Sequence, residues 1–299
     1  MRLLFYTYVM QQCYVRWGST KSNTFFVTNG VRQGAVASPV LFNIYIDELF
    51  ATLRNSKIGC TINGYFYGAL GYADDISLLC PTREGLQKLV DIVSVYCDEY
   101  GITISTDPAP NKSKTKCIIF NCNVEPCNIK LYNLDLPYVD QWEHLGHTIH
   151  KDGQTSHDIM KSRAIFISKI HSLHQELGRV HPKVFMILVQ IYLTAFYGAT
   201  LWDLDSFEAT KLYSTYNMIR NTYDLPFGTH RFILKEVSAQ KPLQQKLYDR
   251  FIKFSDNIKK STKPEVINLF HTQKLDSRSV FGRNYKKHIN TEKRNTSSL

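Results

Sequence analysis

The chain has 299 residues, of which 43% are hydrophobic and 21% are charged, values that are ordinary for a globular protein with a full core. Lys and Arg number 36 against 26 Asp and Glu, so the net charge is +10. This excess favours a polyanionic partner such as a nucleic acid, although a membrane surface or a ribosome would also suit it. Seven cysteines without a CxxC pair argue against a disulfide scaffold and predict a reduced, intracellular protein, in the nucleus or the cytoplasm.

Two regular series of residues could suggest a zinc site: Cys117, Cys122 and Cys127, and His144, His147 and His150. Neither series has the spacing of a zinc knuckle, and buried thiols or scattered imidazoles are more common. We therefore expect no zinc.

The stretch Val184–Trp202 carries no charge and is long enough to cross a bilayer. Gln190, Thr194 and Gly198 make it a poor membrane span, so it is predicted to be a buried helix of a helical subdomain. The apolar run Leu3–Met10 has no small-residue cleavage site and is not a signal peptide. We expect no membrane partner.

The first predicted elements lead into a glycine loop. Apolar residues at helical spacing predict that residues 2–16 are the tail of a helix, and Phe25-Phe26-Val27 predicts a strand. Gly30-Val31-Arg32-Gln33-Gly34 follows, and its two glycines allow positive φ and close backbone approach. Taken alone, this loop could also be a plain turn between a strand and a helix.

A largely buried helix is predicted from Val40 to Leu53. Ser38 and Pro39 are a good N-cap and first helical residue for it. Asp47 and Glu48 lie on its remaining face, where we expect solvated or locally paired acids and not metal ligands.

An acidic hairpin is predicted next, because the apolar runs Leu70–Tyr72 and Ile76–Leu79 flank a tight corner that contains Asp74 and Asp75. Two carboxylates at a desolvated strand end repel each other, so a divalent cation is the expected compensation. Ligands that offer only oxygen select Mg²⁺ or Mn²⁺ over Zn²⁺.

Later segments alternate between helix and strand and then become helical. A helix is predicted over Thr82–Tyr100, and Ile102–Ile104 is predicted to pair with Cys117–Phe120. Short strands are predicted over Ile129–Tyr132 and Tyr138–Ile149, before a turn at Asp152-Gly153. Three helices are predicted after that: one from about residue 155 that ends at Gly178, the apolar helix that begins at Pro182, and one over Phe207–Tyr223.

The glycine loop, Ser38-Pro39 and Tyr72-Ala73-Asp74-Asp75 occur in this order at this point of the chain. Here the sequence resembles the reverse transcriptases of non-LTR (LINE-type) retrotransposons, whose palm carries a GVxQG…SP motif followed by a (Y/F)ADD motif. Further stretches follow the order of the family: Asn111–Lys116, His144-Leu145-Gly146, and Phe196-Tyr197-Gly198 followed by Trp202. The resemblance covers roughly residues 5–225.

The resemblance implies an α+β fold, in which a right-hand polymerase palm has an antiparallel sheet packed on helices and an α-helical thumb follows. It implies a partial palm over residues 1–150 and a thumb-like region over residues 151–225, with the fingers missing. Residues 226–299 are expected to form a basic helical region with a frayed tail.

The implied activity is that of an RNA-directed DNA polymerase with two-metal nucleotidyl transfer. Asp74 would be the main ligand and Asp75 the partner ligand of two Mg²⁺ or Mn²⁺ ions. Lys114 would lie near the nucleotide phosphates as a proton donor to pyrophosphate. Lys112 and Lys116 compete for this role, and a solvated basic loop that touches backbone phosphate is an equal alternative.

The implied partners are an RNA template, a DNA primer and deoxynucleotide triphosphates. The turn His144-Leu145-Gly146 resembles the primer grip of the palm. The residues implied to contact nucleotide or template are Gly30, Arg32, Gln33, Gly34, Ser38, Tyr72 and Lys112.

One departure from the family matters for activity. The palm needs a third acid on a strand upstream of the glycine loop, and the chain has no Asp or Glu before Asp47. We expect an N-terminally truncated enzyme, inactive or weakly active alone, since the loss of a metal ligand costs on the order of a thousandfold in rate. The alternatives are a non-catalytic nucleic-acid-binding remnant and a group II intron maturase-like protein.

Overall fold

The computed structural model of the chain describes residues 2–28, 30–107, 109, 112–120, 128–178, 180–193, 196–226, 228–238 and 240–287. The chain divides into two compact units. The first comprises residues 1–104 and 129–133, and the second comprises residues 105–128 and 134–299. The three predicted domains, with boundaries at residues 150 and 225, stay a prediction.

The first unit combines helices with short antiparallel strand pairs. Its helices are α1 (Arg2–Val9), α2 (Ser38–Asn55) and α3 (Arg83–Glu99). Its strands are β1 (Gln12–Cys13), β2 (Arg16–Trp17), β3 (Thr20–Lys21), β4 (Phe25–Phe26), β5 (Thr61–Ile62), β6 (Tyr65–Phe66), β7 (Ala69–Tyr72), β8 (Asp75–Leu78) and β9 (Lys130–Leu131). The antiparallel pairs are β1 with β4, β2 with β3, β5 with β6, and β7 with β8.

Helices α2 and α3 supply the core of the first unit, because their apolar residues recur at helical spacing. The fully buried members are Leu49 and Leu53 on α2 and Leu89 on α3. The side chain of Thr82 caps α3 by accepting a hydrogen bond from the backbone N–H of Gly85 at 3.2 Å. The helix predicted over residues 82–100 is confirmed.

The second unit is mainly helical. Its α-helices are α4 (Ser156–Leu177), α5 (Pro182–Leu188), α6 (Phe207–Tyr216), α7 (Arg231–Ser238), α8 (Leu243–Lys259) and α9 (Pro264–Leu275), and residues 280–287 are also helical. Its strands are β10 (Leu134–Asp135), β11 (Gln141–His144) and β12 (His147–His150), of which β11 and β12 pair as a hairpin. Buried aromatic residues, among them Phe166, Phe185, Trp202 and Phe251, dominate its core.

The helix predicted over residues 2–16 is wrong beyond Val9. The chain turns instead into β1, which pairs with β4 through residues Gln12 and Phe26. The backbone N–H of Val27 also donates to the carbonyl of Gln11 at 2.9 Å. Pairing with a distant strand determines the backbone conformation here, and the spacing of apolar residues within residues 2–16 does not reveal such a partner.

The pairing predicted between residues 102–104 and 117–120 is also wrong. Both stretches are described, and neither lies in a regular strand. Cys117 instead forms an isolated parallel bridge with Tyr138, in which its N–H donates to the carbonyl of Pro137 and its carbonyl accepts from Val139, both at 2.9 Å. Burial raises the pKa of the Cys117 thiol to about 11.

The continuous helix predicted after Pro182 is shorter than expected. Helix α5 gives way to a π-helical segment at Val189–Leu193, and a 3₁₀ turn covers Ala199–Leu201. Gly198, with φ +71°, precedes that turn in a left-handed conformation that does not continue a helix. The helix predicted over Phe207–Tyr223 likewise consists of α6 followed by a 3₁₀ segment, Asn217–Tyr223.

The chain is therefore a mixed protein of helices and short antiparallel strand pairs, as the predicted fold class requires at this level. Across the described ranges, no helix is both long enough and apolar enough to cross a bilayer.

Candidate active site

The acidic hairpin is formed as the sequence predicted. Strands β7 and β8 are antiparallel, and Tyr72 lies opposite Asp75, so only Ala73 and Asp74 form the turn. Ala73 has φ +52°, a left-handed value that a residue with a Cβ adopts at a cost of about 1 kcal/mol or more. Such strain persists only where the surroundings hold it, and it is common at functional sites.

Helix α2 supports the hairpin from behind. A Cβ on Gly71 would lie 2.4 Å from the ring of Phe50, so the ring packs directly on the strand backbone. At the open end, Leu79 ties the hairpin to its neighbours: its N–H donates to the carbonyl of Gly68 at 2.8 Å, and its carbonyl accepts from the N–H of Cys60 at 2.9 Å. The turn is thus held at the end of a small sheet.

The two carboxylates differ from the prediction in one respect. Asp74 and Asp75 are exposed, whereas we expected a desolvated strand end. Among the residues that the structure describes, no side chain or backbone group forms a hydrogen bond or an ion pair with either carboxylate. Their oxygen atoms are therefore available to a hard cation, and neighbouring carboxylates without competing cationic side chains suit Mg²⁺ or Mn²⁺.

The glycine loop has the predicted backbone. Gly30 and Gly34 have φ values of +84° and +81°, and no heavy atom lies within 4 Å of a Cβ built on either residue. Arg32 and Gln33 are exposed between them. A side chain at either glycine would fill space that is empty on the Cβ side and would strain the backbone.

Ser38 is not the N-cap residue that the sequence predicted. Ala37 is the N-cap residue of α2, and its side chain makes no capping hydrogen bond. Buried Ser38 is the first helical residue, and its Oγ donates to the carbonyl of Arg32 at 2.6 Å. Ser38 therefore fixes the glycine loop from the start of α2, a bond across six residues that capping preferences do not reveal.

The basic loop belongs to the second unit. Lys112 and Lys114 are exposed, while the ammonium group of Lys116 lies 5.0 Å from the centre of the Trp142 ring. Lys116 is thus engaged by a cation–π contact. Buried Ser113 holds the loop, since its Oγ donates to the carbonyl of Thr115 at 2.7 Å. Asn111, which begins the predicted basic stretch, lies outside the described residues.

The predicted primer-grip turn closes the hairpin of β11 and β12. His144 lies opposite His147, and Leu145 and Gly146 form the turn with φ values of +49° and +78°. Two positive φ values match the right-handed twist of a two-residue hairpin. A Cβ on Gly146 would be 3.5 Å from the ring of Tyr197.

A buried carboxylate fixes this second hairpin. Asp158 accepts hydrogen bonds from the backbone N–H of Thr148 at 3.1 Å and from the indole N–H of Trp202 at 2.7 Å, and it contacts the Nδ1 atom of His147 at 3.2 Å. The ring of His147 stacks on Tyr197, with ring centres 5.1 Å apart. Asp158 thus joins β12, α4 and Trp202.

Comparison with known proteins decides the family. Residues 3–149 match the family described as reverse transcriptase (RNA-dependent DNA polymerase). This match covers 147 of the 299 residues, just under half of the chain. The acidic hairpin, the glycine loop and the second hairpin up to Ile149 all lie in this reverse transcriptase segment.

The relatives come from non-LTR retrotransposons. A Pol polyprotein of the type-2 retrotransposable element R2DM from Drosophila melanogaster is 31% identical over 133 residues, which are 42% of this chain and 12% of the relative. A Pol polyprotein of a type-1 retrotransposable element R2 from Popillia japonica is 40% identical over 91 residues, 30% of this chain and 15% of the relative. The chain thus spans well under a fifth of the length of these relatives. The resemblance to non-LTR retrotransposon reverse transcriptases is confirmed.

Sequence reasoning missed two groups that the structure brings together around the reverse transcriptase segment. One is Asp158 with its three donors. The other consists of His150, Asp152 and His157, whose potential ligand atoms lie within 4.8 Å of one another. The signal for the second group was a turn between a strand that ends in His150 and a helix whose second residue is His157.

Proposed function

We propose that the chain acts as part of an RNA-directed DNA polymerase, with the reverse transcriptase segment as palm and the helices after it as thumb. The observation that carries the proposal is the pair of exposed carboxylates, Asp74 and Asp75, at a hairpin turn held by helix α2. A strained turn that presents two unpartnered acids adds nothing to the stability of the unit, so a ligand is the simplest reason for it.

In this proposal Asp74 and Asp75 would hold two divalent ions, Mg²⁺ or Mn²⁺. Bound ions would stabilise both the attacking and the leaving oxygen atoms of an in-line displacement. The 3′-hydroxyl of a DNA primer gives its proton to solvent and attacks the α-phosphorus of a deoxynucleotide triphosphate, the bond to the β-phosphate oxygen breaks, and pyrophosphate leaves. The contribution of the protein is to position the reactants and to stabilise the developing charge.

The remaining predicted residues position the substrates. Gly30 and Gly34, with Arg32, Gln33 and Tyr72, seat the template base and the nucleotide, and Ser38 holds the loop. Exposed Lys112 binds phosphate, and Lys114 gives a proton to pyrophosphate. The turn His144-Leu145-Gly146 grips the primer. The expected template is RNA.

Primer extension tests the proposal. The purified chain is given an RNA template, an annealed DNA primer and labelled deoxynucleotides with Mg²⁺ or Mn²⁺. Where the wild type incorporates nucleotide, even weakly, we expect Asp74→Asn and Asp75→Asn each to reduce incorporation on the order of a thousandfold. Asp47→Asn removes an exposed acid from helix α2 of the same unit and should leave incorporation unchanged. Incorporation that survives Asp74→Asn would refute the assignment of the site.

A second candidate function is nucleic-acid binding without catalysis. The net charge of +10 favours it. Here the chain binds the template and primer with an affinity that falls steeply with salt, because phosphate contacts release counterions. Nucleic-acid binding without nucleotide incorporation, whether Mg²⁺ or Mn²⁺ is present, supports this candidate. Nucleotide incorporation rules it out.

A further inference from the structure

The end of strand β12 and the start of helix α4 bring three metal-binding side chains together. His150 is the last residue of β12, and His157 is the second residue of α4. Asp152 lies in the turn between them. Its Oδ1 atom is 2.9 Å from the Nδ1 atom of His150, and its Oδ2 atom is 3.0 Å from the Nε2 atom of His157.

We propose that His150, Asp152 and His157 form a binding site for a divalent transition metal, with Zn²⁺ as the expected ion. Two imidazoles and one carboxylate are a common three-residue ligand set for zinc, which leaves a fourth position for water. This site is distinct from Asp74 and Asp75, which offer only oxygen, and it does not depend on polymerase activity.

Two of the ligand distances are close to those within a metal site, and the nitrogens of His150 and His157 contact different oxygen atoms of Asp152. Tetrahedral ligands with zinc bonds of 2.0–2.2 Å are roughly 3.3 Å apart, so the two observed nitrogen-to-oxygen distances would change by a few tenths of an ångström. The rings of His150 and His157 are stacked, with centres 3.8 Å apart and planes inclined by 22°. Both ring nitrogens therefore approach the same carboxylate from neighbouring positions.

The backbone holds the carboxylate in place before any ion binds. The N–H of Gly153 donates to the carbonyl of His150 at 2.9 Å and closes the turn, and Gly153 has φ +67°. The N–H of Gln154 donates to Oδ1 of Asp152 at 2.8 Å. A ligating carboxylate that is itself hydrogen-bonded has less freedom to lose when the metal binds.

The site is open to an ion from solvent. The side chains of His150, Asp152 and His157 are 19%, 41% and 30% exposed, so each is partly packed and partly accessible. His150, unlike Asp152 and His157, also lines a cavity of about 150 Å³ together with Gln154 and Thr155. A bound ion would join strand β12 to helix α4 and stiffen the base of the second hairpin.

The zinc sets weighed from the sequence were different ones. His144, His147 and His150 lie on one hairpin, where His144 is opposite His147 and His147 is held by Asp158. Only His150 of these three enters the group proposed here. Cys122 and Cys127 of the cysteine series lie outside the described residues.

Cobalt and zinc titrations test the site on the full chain. The protein is stripped with a chelator, desalted and titrated with Co²⁺ and then with Zn²⁺ against a coloured zinc indicator. We expect one equivalent per chain, a visible cobalt spectrum without a thiolate charge-transfer band, and no competition from excess Mg²⁺. Asp152→Asn and His157→Gln should each weaken binding at least about 100-fold.

His171→Gln is the matched control, since His171 is an exposed histidine on the same helix as His157. It should bind zinc as the wild type does. The proposal is overturned if the wild type binds no stoichiometric zinc, if the cobalt spectrum shows thiolate ligands, or if Asp152→Asn and His157→Gln bind normally. Circular dichroism checks that the variants fold, and the wild-type spectrum and stoichiometry decide the question if they do not.

Discussion

The acidic hairpin and the hairpin of β11 and β12 have the same size, but different residues support them. Each has two four-residue strands joined by a two-residue turn, β7 with β8 and β11 with β12, and each turn contains a non-glycine residue at positive φ. The first presents Asp74 and Asp75 to solvent. The second lies against buried Asp158, which accepts hydrogen bonds from both strand and core.

This difference separates acids that stabilise the protein from acids that are free to bind a ligand. Asp158 satisfies N–H groups that burial would otherwise leave without partners, and such groups are costly to abandon. Asp74 and Asp75 satisfy no group of the described chain. Substitution of Asp158 should therefore lower the free energy of unfolding, whereas substitution of Asp74 or Asp75 should lower the catalytic rate.

The largest expected effect on stability is seen by replacing aspartate with asparagine at Asp158 and, for comparison, at Asp74. Asp158→Asn turns one acceptor oxygen into a donor that faces an N–H group of Trp202 or Thr148, so we expect the free energy of unfolding to fall by roughly 3 kcal/mol. Asp74→Asn should change it by less than about 0.5 kcal/mol, because the site is exposed and unpartnered. Urea denaturation followed by tryptophan fluorescence measures both. Equal effects would remove the distinction between the hairpins.

A smaller effect is expected at Gly198, which lies under the second hairpin. A Cβ there would be 1.5 Å from the Cε1 atom of His147, and the residue has φ +71°. We expect Gly198→Ala to lower the free energy of unfolding by about 2 kcal/mol as the ring leaves Asp158 and Tyr197. The measurement is again urea denaturation.

His147→Ala should remove the steric part of this cost, so the double variant is expected to be more stable than the sum of the single changes implies. Gly228→Ala is the control, because no heavy atom lies within 4 Å of a Cβ at that position. Additive changes at Gly198 and His147 would show that the ring is not what excludes a side chain.

Local patterns in the sequence were sufficient for the acidic hairpin, the positive φ of Gly30 and Gly34, and helix α3. Each of these depends on residues within a few positions of one another. Patterns failed where a distant partner decides the structure. Strand β1 needs β4, and Cys117 needs Tyr138.

The candidate site follows the same division. Asp74 and Asp75 could be found by their motif, but the capping role predicted for Ser38 was wrong, because its hydroxyl donates back to the carbonyl of Arg32. Asp158 could not be found, since its acceptor role depends on Trp202, 44 residues away. Spacing along the chain contains no information about such contacts until the fold is known.

The smallest expected effect tests whether the turn of the acidic hairpin is strained. Ala73→Gly removes the penalty of φ +52° but adds backbone entropy to the unfolded chain, so we expect a net gain of roughly 0.5 kcal/mol in the free energy of unfolding. Ala51→Gly, on the exposed face of α2, should instead cost about 1 kcal/mol. If the turn holds the carboxylates for an ion, Ala73→Gly should also raise the Mg²⁺ concentration needed for half-maximal primer extension. If Ala73→Gly lowers the free energy of unfolding, the backbone at Ala73 is not strained. The argument from strain for a functional acidic hairpin would then fail.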